Sequence, residues 1–340
     1  MVKQEGRFIV RTLGRSLFAA AVVSLLIFPA PARAQKKLNT SYAAISGAMA
    51  VPWIGVEEGI FKKNGLDVSL VYIASGPKSL AAVLAGETPI ALSSGQSLVQ
   101  AHLRGSDIVS IADHAYTFVF SLMTKPEITK PEQLRGKKLG VTRFGSSTHM
   151  GVVKALEHFK LRPVQDVAVL QIGGVPEILA AILSGNIDGG IVSPPTDIRA
   201  KKLGLYELLD LGTLQIPFQQ STVITTASYA RANPDMVRAY VKSFVDGVAF
   251  GKNNKNATKR IIAKYTKVND DETLEGTYQL FIVKYLKRAP YPSEAAIQTV
   301  LDDIGEKELK ARSADPKEFV DPRWIKELDD SGYIANLYKK

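Results

Sequence analysis

The sequence predicts an α/β protein of two doubly wound lobes joined by a hinge, with a helical C-terminal region packed on lobe 1. Three observations predict this fold. A stretch of twenty residues recurs 99 positions later, each copy alternates strand and helix patterns, and the chain after residue 225 is mostly helical. Alternating strands and helices are typical of a parallel sheet covered on both faces. Two copies therefore indicate two similar lobes.

The first 34 residues have the pattern of a secretory signal peptide, which we set aside before considering the fold. Basic residues precede the short apolar stretch 16–28, and the small residues of "ARA" (32–34) indicate cleavage after Ala34. A retained signal anchor is the alternative. The chain contains no cysteine for a lipid-anchored N-terminus. We therefore expect a mature protein in the periplasm.

Composition narrows the function classes further. Without residues 1–34 the net charge falls from +10 to +6, and Lys and Arg are mixed with Asp and Glu. This distribution does not indicate nucleic-acid binding. Since the chain has no cysteine, it forms no disulfide and no thiolate metal site. No stretch after residue 34 is apolar for 18 residues, so we expect no membrane insertion of the mature chain.

The repeat lies in residues 67–86 and 166–185, which align without gaps with nine identities. Each copy has an apolar strand, a turn and a helix with Pro77 or Pro176 at its first position. A glycine follows each helix, and a second strand comes next. The shared positions of the turn, the proline and the glycine indicate a duplicated unit more strongly than the identities do, because several identities are common small or apolar residues.

Upstream of the repeat the architecture persists although the sequence match fades. Residues 38–49 and 137–148 each read as an apolar strand that enters a Ser/Gly loop. A helix follows each loop, about residues 51–64 in the first unit and 148–159 in the second. We expect the first of these helices to stop at Gly65.

The remaining chain suggests how the lobes are connected. A helix starting near Asn233 and Pro234 carries an apolar stripe, typical of core packing. We expect this region to return to lobe 1, with crossings near 121–126 and 221–226. The predicted boundaries are residues 1–34 for the signal peptide, 35–122 for lobe 1, 123–223 for lobe 2, and 224–340 for the second part of lobe 1.

Six loops rich in serine, threonine and glycine follow the predicted strands, three in each unit. They are residues 45–49, 74–77, 93–97, 144–148, 173–176 and 193–196. In open parallel sheets, ligands bind beyond the carboxyl ends of strands, beside helix N-termini with unpaired N–H groups. If the two lobes face each other, all six loops converge on one cleft. The structural alternative is that each loop supplies only caps and turns.

The candidate ligand-binding residues come from these loops and from one strand. They are Ser46, Ser75, Ser94 and Gln96 in lobe 1, Ser146, Ser147, Thr148 and Ser193 in lobe 2, and Tyr116 near the hinge. The "FGSST" loop (144–148) is the strongest candidate because three successive hydroxyls exceed what one cap needs. Tyr116 alternates with Phe118 and Phe120, which we expect in the core.

No loop carries a decisive charge. The nearest basic residues are Lys78, His114, Arg143 and His149, and the sequence leaves open which of them contact a ligand. Arg143 has the fork geometry to bind an anion bidentately, or it points to solvent.

Several stretches together resemble the solute-binding proteins of nitrate/sulfonate/taurine-type ABC transporters, in the thiamine-pyrimidine-synthase-like superfamily. They are "PWIGVEEGIFKKNGLDV" (52–68), "PEQLRGKKLGV" (131–141) and "ILAAILSGNIDGGIV" (178–192). The resemblance implies a type II periplasmic-binding-protein fold and no cofactor. It implies capture of a small organic or inorganic anion, such as a sulfonate, nitrate or an aromatic acid. The protein would be a monomer that delivers its ligand to an ABC permease with a cytoplasmic ATPase.

Two other functions are weighed against this one. The thiamine-pyrimidine synthases are enzymes of similar fold, but they carry a cysteine-rich segment that this chain lacks. The four histidines show no metal spacing, and His149 near Ser147 has no assignable acid partner. We therefore predict no enzyme, no catalytic residue and no metal site. The second alternative is a ligand-sensing subunit for a signalling partner, which needs the same closing cleft.

Overall fold

Two five-stranded sheets organise the residues that the computed structural model describes, 35–306 and 308–339. The expected signal peptide, residues 1–34, lies outside the described residues. The strands are β1 (Lys36–Tyr42), β2 (Leu66–Tyr72), β3 (Ile90–Ser93), β4 (Ile108–Thr117), β5 (Ser121–Thr124), β6 (Lys138–Val141), β7 (Ala168–Gln171), β8 (Gly189–Val192), β9 (Tyr206–Asp210) and β10 (Pro217–Thr226).

Helices cover both sheets and form the C-terminal region. The α-helices are α1 (Ala50–Glu57), α2 (Ile60–Lys63), α3 (Gly76–Leu84), α4 (Gly95–Leu103), α5 (Ser147–His158), α6 (Val175–Leu183), α7 (Thr196–Lys202), α8 (Ala227–Ala232), α9 (Pro234–Asn253), α10 (Lys255–Thr266), α11 (Asp271–Tyr278), α12 (Glu294–Gly305), α13 (Leu309–Ser313), α14 (Arg323–Asp330) and α15 (Tyr333–Asn336). A π-helix spans Gln279–Lys284, and short 3-10 helices occupy Gly47–Met49, Pro131–Leu134, Leu211–Leu214 and Pro316–Phe319. No helix in these ranges is long and apolar enough to cross a membrane.

The two sheets have equivalent strand orders, β2-β1-β3-β10-β4 and β7-β6-β8-β5-β9. In the first sheet β1 pairs in parallel with β2 and β3, and in the second β6 pairs in parallel with β7 and β8. One strand in each sheet runs antiparallel to its neighbours, β10 in the first and β5 in the second. The sheets are therefore mixed rather than wholly parallel. The antiparallel strand is the one that begins directly after the chain crosses between the sheets.

The repeat corresponds to equivalent elements in the order of the chain. Helices α3 and α6 begin and end 99 residues apart, and so do strands β3 and β8. Each helix has a proline in its first turn, where the absent N–H costs nothing. The duplicated sequence thus builds the same helix and strand in each lobe.

The helix expected over residues 51–64 is divided in two. Gly59 has φ +63°, a left-handed conformation that ends α1 and starts α2. Glycine adopts this conformation without the steric penalty of a side chain, which explains the break. The second unit has an uninterrupted helix, α5, one residue from the expected bounds.

The crossings between the sheets lie earlier than expected. Strand β5 already belongs to the second sheet from Ser121, and β10 belongs to the first sheet from Pro217. The chain therefore crosses at residues 118–120 and 215–216, so lobe boundaries at 122 and 223 cut through strands. The alternating apolar residues of β4 and β5 continue across the first crossing without a turn residue, which hid the boundary in the sequence.

The C-terminal helices pack on the first lobe and also reach the second. The apolar stripe of α9, including Tyr240 and Phe244, is buried in the same core as α1 and β1. Helix α12 packs on α4 and β10, while its Asp303 lies 3.1 Å from Lys154 of α5 in the second lobe. Lys202 of α7 likewise lies 2.7 Å from Glu272 of α11. The C-terminal region therefore packs on lobe 1, as expected, and also contacts lobe 2.

A buried glutamine of β10 forms two hydrogen bonds with the backbone of the first crossing. The Val119 N–H donates to Gln220 Oε1 at 2.5 Å, and Gln220 Nε2 donates to the Val119 carbonyl at 3.5 Å. The side-chain amide thus replaces a strand partner for the backbone at the crossing. Its neighbour Gln219 makes one side-chain bond, to Ser110 at 3.4 Å, and its Oε1 has no partner.

We predict that Gln220→Met destabilises the protein by about 1–3 kcal/mol, because a buried N–H loses its acceptor. Gln219→Met is the matched control and should cost less, since one of its two polar groups is already unpartnered. Urea unfolding followed by circular dichroism measures both. Equal losses for the two variants would contradict the role assigned to Gln220.

Candidate functional site

A cavity lies where the carboxyl ends of the strands of both sheets face each other. Helices α3 and α4 of the first lobe and α5 and α6 of the second begin at this cavity, with Ser75, Ser94, Ser146 and Gly174 at their N-cap positions. First-turn N–H groups have no partner inside a helix, and the macrodipole makes this end positive. Four positive helix ends therefore surround one small space.

Seven of the nine predicted site residues line this cavity. They are Ser46, Ser75, Ser94, Ser146, Ser147, Thr148 and Ser193. The cavity volume is about 40 Å³, so a ligand enclosed in it is small. The structure thus brings together loops that are up to 147 residues apart in the sequence.

Hydroxyl groups from the two lobes bond directly to each other. Ser46 Oγ lies 2.8 Å from Ser193 Oγ, and Ser94 Oγ lies 2.8 Å from Ser147 Oγ. The Gly47 N–H also donates to the Pro194 carbonyl across the cleft at 3.0 Å. These contacts require the lobes to be in contact, so the structure describes a closed form.

Ser75 differs from the other hydroxyls of the site. Its side chain is 4% exposed, and its Oγ has no hydrogen-bond partner. Its backbone has φ +79° and ψ 146°, a region that residues other than glycine rarely occupy. A strained backbone and an unpartnered buried hydroxyl at one cavity residue are typical of a binding position.

The "FGSST" hydroxyls have structural partners as well as cavity positions. Ser146 caps α5 by accepting from the His149 N–H, and Thr148 Oγ1 accepts from the Thr142 N–H at 2.9 Å. Ser147 Oγ donates to the Gln220 carbonyl at 2.8 Å. The capping alternative therefore applies to Ser146, while Ser147 forms contacts between the lobes.

Two predicted site residues lie away from the cavity. Tyr116 packs its ring on Tyr285 at 6.3 Å, with Lys287 Nζ 4.2 Å from the ring centroid. These partners come from the C-terminal region, whose position the local sequence of β4 does not reveal. Gln96 is buried in the first turn of α4 with its Oε1 unpartnered, and it does not line the cavity. Neither residue is among those that line this cavity.

The basic candidates also lie outside the cavity lining. Lys78 is exposed, Arg143 is half-buried, and His149 Nδ1 accepts from the Gly145 N–H at 3.3 Å. His114 lies fully buried beside Phe244, where burial lowers its pKa to about 3. Within the described residues, no charged side chain lines the cavity.

Sequence reasoning missed the apolar and glycine residues that line the cavity, and also two polar ones. The additional lining residues are Ala43, Ala44, Ala48, Met49, Gly76, Phe120, Thr142, Val175 and Gln220. Phe120 was expected in the core, and it is 5% exposed, so it serves both the core and the cavity. Alanine and valine carry no chemical signal of binding, and only their positions beside the Ser/Gly loops suggest it.

Comparison with known proteins connects this geometry to a family. A family model described as NMT1/THI5 like matches residues 50–257, which is more than half of the chain. The chain belongs to the NMT1/THI5-like family. The taurine-binding periplasmic protein of Escherichia coli (strain K12) is 30% identical over 220 residues. That match covers 64% of this chain and 61% of the taurine-binding protein.

Solved structures confirm the fold of this family member. The periplasmic nitrate-binding protein NrtA from Synechocystis PCC 6803 matches with a TM-score of 0.75 at 13% identity, covering 90% of this chain and 91% of the other. The alkanesulfonate-binding protein SsuA from Xanthomonas axonopodis pv. citri, bound to MOPS, matches with a TM-score of 0.72 at 15% identity, covering 84% and 98%. At such identities the likeness shows the fold alone, which is that of periplasmic binding proteins.

A second cavity, of about 100 Å³, lies beside the first crossing and contains a buried acid of α7. Asp197 is 5% exposed, its Oδ2 accepts from Ser121 Oγ at 3.3 Å, and Glu207 and Lys201 line the same cavity. Burial raises the pKa of Asp197 to about 7. The Asp197 carboxyl is therefore protonated in the folded protein at pH values at which it is ionised in the unfolded chain.

We predict a pH-dependent stability difference between the wild type and Asp197→Asn. The raised pKa stabilises the wild type fully below about pH 4, and this contribution disappears as the pH rises to about 7. Urea unfolding of both proteins between pH 4 and pH 8 measures it. The free energy of unfolding of the wild type relative to the variant should fall across this range and level off above pH 7. A pH-independent difference would contradict the assignment.

Proposed function

We propose that this protein captures a small anion outside the cytoplasm by closing its two lobes, and delivers it to an ABC importer. One observation carries the proposal. Two helix N-termini from each lobe face a single enclosed cavity, and the hydroxyls around it bond from lobe to lobe. A ligand in this cavity contacts both lobes at once, so it stabilises the closed form.

The electrostatics of the cavity favour an anion. Helix N-termini offer backbone N–H donors and a positive dipole end, and hydroxyls add donors that can turn toward a ligand. The family relatives include proteins named for binding taurine, alkanesulfonate and nitrate, all of which contain an anionic group. We therefore propose that the ligand of this chain also contains an anionic group.

The proposed binding residues are seven of the eight hydroxyl residues that line the cavity. Ser46, Ser75 and Ser94 act from lobe 1, and Ser146, Ser147, Thr148 and Ser193 act from lobe 2. We propose binding without catalysis, because none of the residues in 35–306 and 308–339 is a base placed to activate a serine of the cavity. Ser147 Oγ bonds to Ser94 and to the Gln220 carbonyl, while His149 Nδ1 bonds to the loop backbone. Family membership supports the binding role, since the similar proteins described above are binding proteins.

We propose that the mature protein works as a periplasmic monomer with a membrane permease and a cytoplasmic ATPase. The signal-peptide pattern of residues 1–34 supports export, and the curated relative is a periplasmic protein. Mass spectrometry of the full chain after expression in a Gram-negative host tests cleavage after Ala34. Stimulation of the ATPase of a transporter encoded beside this protein tests delivery.

The first test of function is a thermal-shift screen of the exported protein, after unfolding and refolding to remove any copurified ligand. The panel contains nitrate, aliphatic sulfonates, aromatic carboxylates, pyrimidines and polyamines. A ligand at one hundred times its Kd adds about 2.7 kcal/mol of stability, which raises Tm by a few degrees. We expect a shift from at least one anion and none from the polyamines. Shifts from polyamines alone, or from no compound, would contradict the proposal.

We predict that the double variant Ser147→Ala, Thr148→Ala weakens ligand binding at least 10-fold without unfolding the protein. Both residues line the cavity, and the lost side-chain bonds cost about 1 kcal/mol each. The matched control is Thr226→Ala, Ser293→Ala, which removes two helix caps remote from the cavity. Calorimetric titration and Tm measure both variants. Unchanged affinity in the first variant would remove the "FGSST" loop from the site.

A further inference from the structure

The cavity lining combines polar and apolar groups. Hydroxyls and helix N-termini, described above, supply the polar groups, and small and apolar side chains supply the others. The apolar group consists of Ala43, Ala44, Ala48, Met49, Phe120 and Val175. A ligand complementary to this lining combines a hydrogen-bond-accepting group with an apolar group, and the small volume favours a short one.

Ser75 provides a hydroxyl donor in the cavity for an acceptor atom of the ligand. Its Oγ is the cavity hydroxyl without a partner, it is more than nine-tenths buried, and it lies at the N-cap of the nine-residue helix α3. A buried hydroxyl without a partner is costly, and the strained backbone at this position adds to the cost. A ligand oxygen that accepts from Ser75 Oγ removes the first of these costs.

The absence of charged side chains from the cavity lining of the described chain determines which net charge fits. Four positive helix ends favour one negative charge. An ammonium group in the same space would meet these positive ends and would have no carboxylate partner, so its desolvation would be uncompensated. A dianion carries a much larger desolvation penalty, because this penalty grows with the square of the charge, and no cationic side chain lines the cavity to offset it.

We propose that this cavity selects compact monoanions with an apolar end, such as short alkanesulfonates or carboxylates, and rejects zwitterions and dianions of similar size. This inference rests on the proposed function and makes it more specific. It separates this chain from its 30% identical relative, whose name states that it binds taurine, an amino sulfonate.

Calorimetric titration of the exported protein at constant ionic strength tests the inference with matched pairs. Ethanesulfonate is compared with taurine, and propionate with β-alanine, because each pair differs only in an amino group. Sulfate provides the dianion, nitrate the smallest monoanion, and ethyl methyl sulfone a neutral analogue. We expect at least one monoanion to bind 100-fold more tightly than its zwitterionic partner, sulfate and the sulfone.

Taurine or β-alanine binding within threefold of its partner would overturn the inference while leaving the proposed function intact. Equal binding of the sulfone would overturn the requirement for a negative charge. Tighter binding of sulfate than of every monoanion would overturn the charge assignment. If no compound binds here or in the thermal-shift panel, the proposed function itself fails, and the inference fails with it.

Variants of Ser75 test the polar contact. Ser75→Ala and Ser75→Gly both remove the hydroxyl, so we expect each to lose about 10-fold in affinity for the best monoanion. Because glycine adopts φ +79° without strain, Ser75→Gly should have a Tm at least as high as Ser75→Ala. Ser293→Ala, a cap far from the cavity, should bind like the wild type. Wild-type affinity in both Ser75 variants would overturn the role of this hydroxyl.

Discussion

The constraint on which the site depends is that a helix cannot pair the N–H groups of its own first turn. In this fold, α3, α4, α5 and α6 all begin beside one cavity, so their unpaired donors and positive dipole ends are concentrated there. The lining side chains in the part of the chain that the structure describes contribute hydroxyls but no charge. The electrostatic character of the site is therefore set by the backbone, and the strand-to-helix connections of the two lobes produce it.

The duplicated sequence produces this arrangement in both lobes. The repeat places α3 and α6, and likewise β3 and β8, 99 residues apart, so the loops before the helices reach the cavity from opposite walls. Within these loops a serine has more than one role. Ser94 and Ser146 cap their helices and line the cavity, whereas Ser75 lines the cavity without accepting from its helix.

The sequence predicts the lobes and most cavity hydroxyls, because periodicity and loop composition are local signals. It does not predict contacts made by distant segments. Tyr116 looks like a cleft residue within β4, but Tyr285 and Lys287 of the C-terminal region cover it. The crossing at 118–120 lies inside a continuous apolar pattern, so it carries no turn signal. The role of Gln220 as a hydrogen-bond partner of Val119 becomes apparent only in the folded chain, where β10 lies beside Val119.

Two kinds of contact between the lobes, the serine pairs and the Lys202 ion pairs, suggest how the charge of a ligand affects closure. The two serine pairs are neutral hydrogen bonds, each worth about 1 kcal/mol. The Lys202 ion pairs lie at the surface, where such pairs contribute about 0–1 kcal/mol. Neither the serine pairs nor the Lys202 pairs offset much of the electrostatic cost of bringing four positive helix ends together. A negative charge in the cavity interacts favourably with these helix ends, so a bound monoanion reduces that cost and favours the closed form.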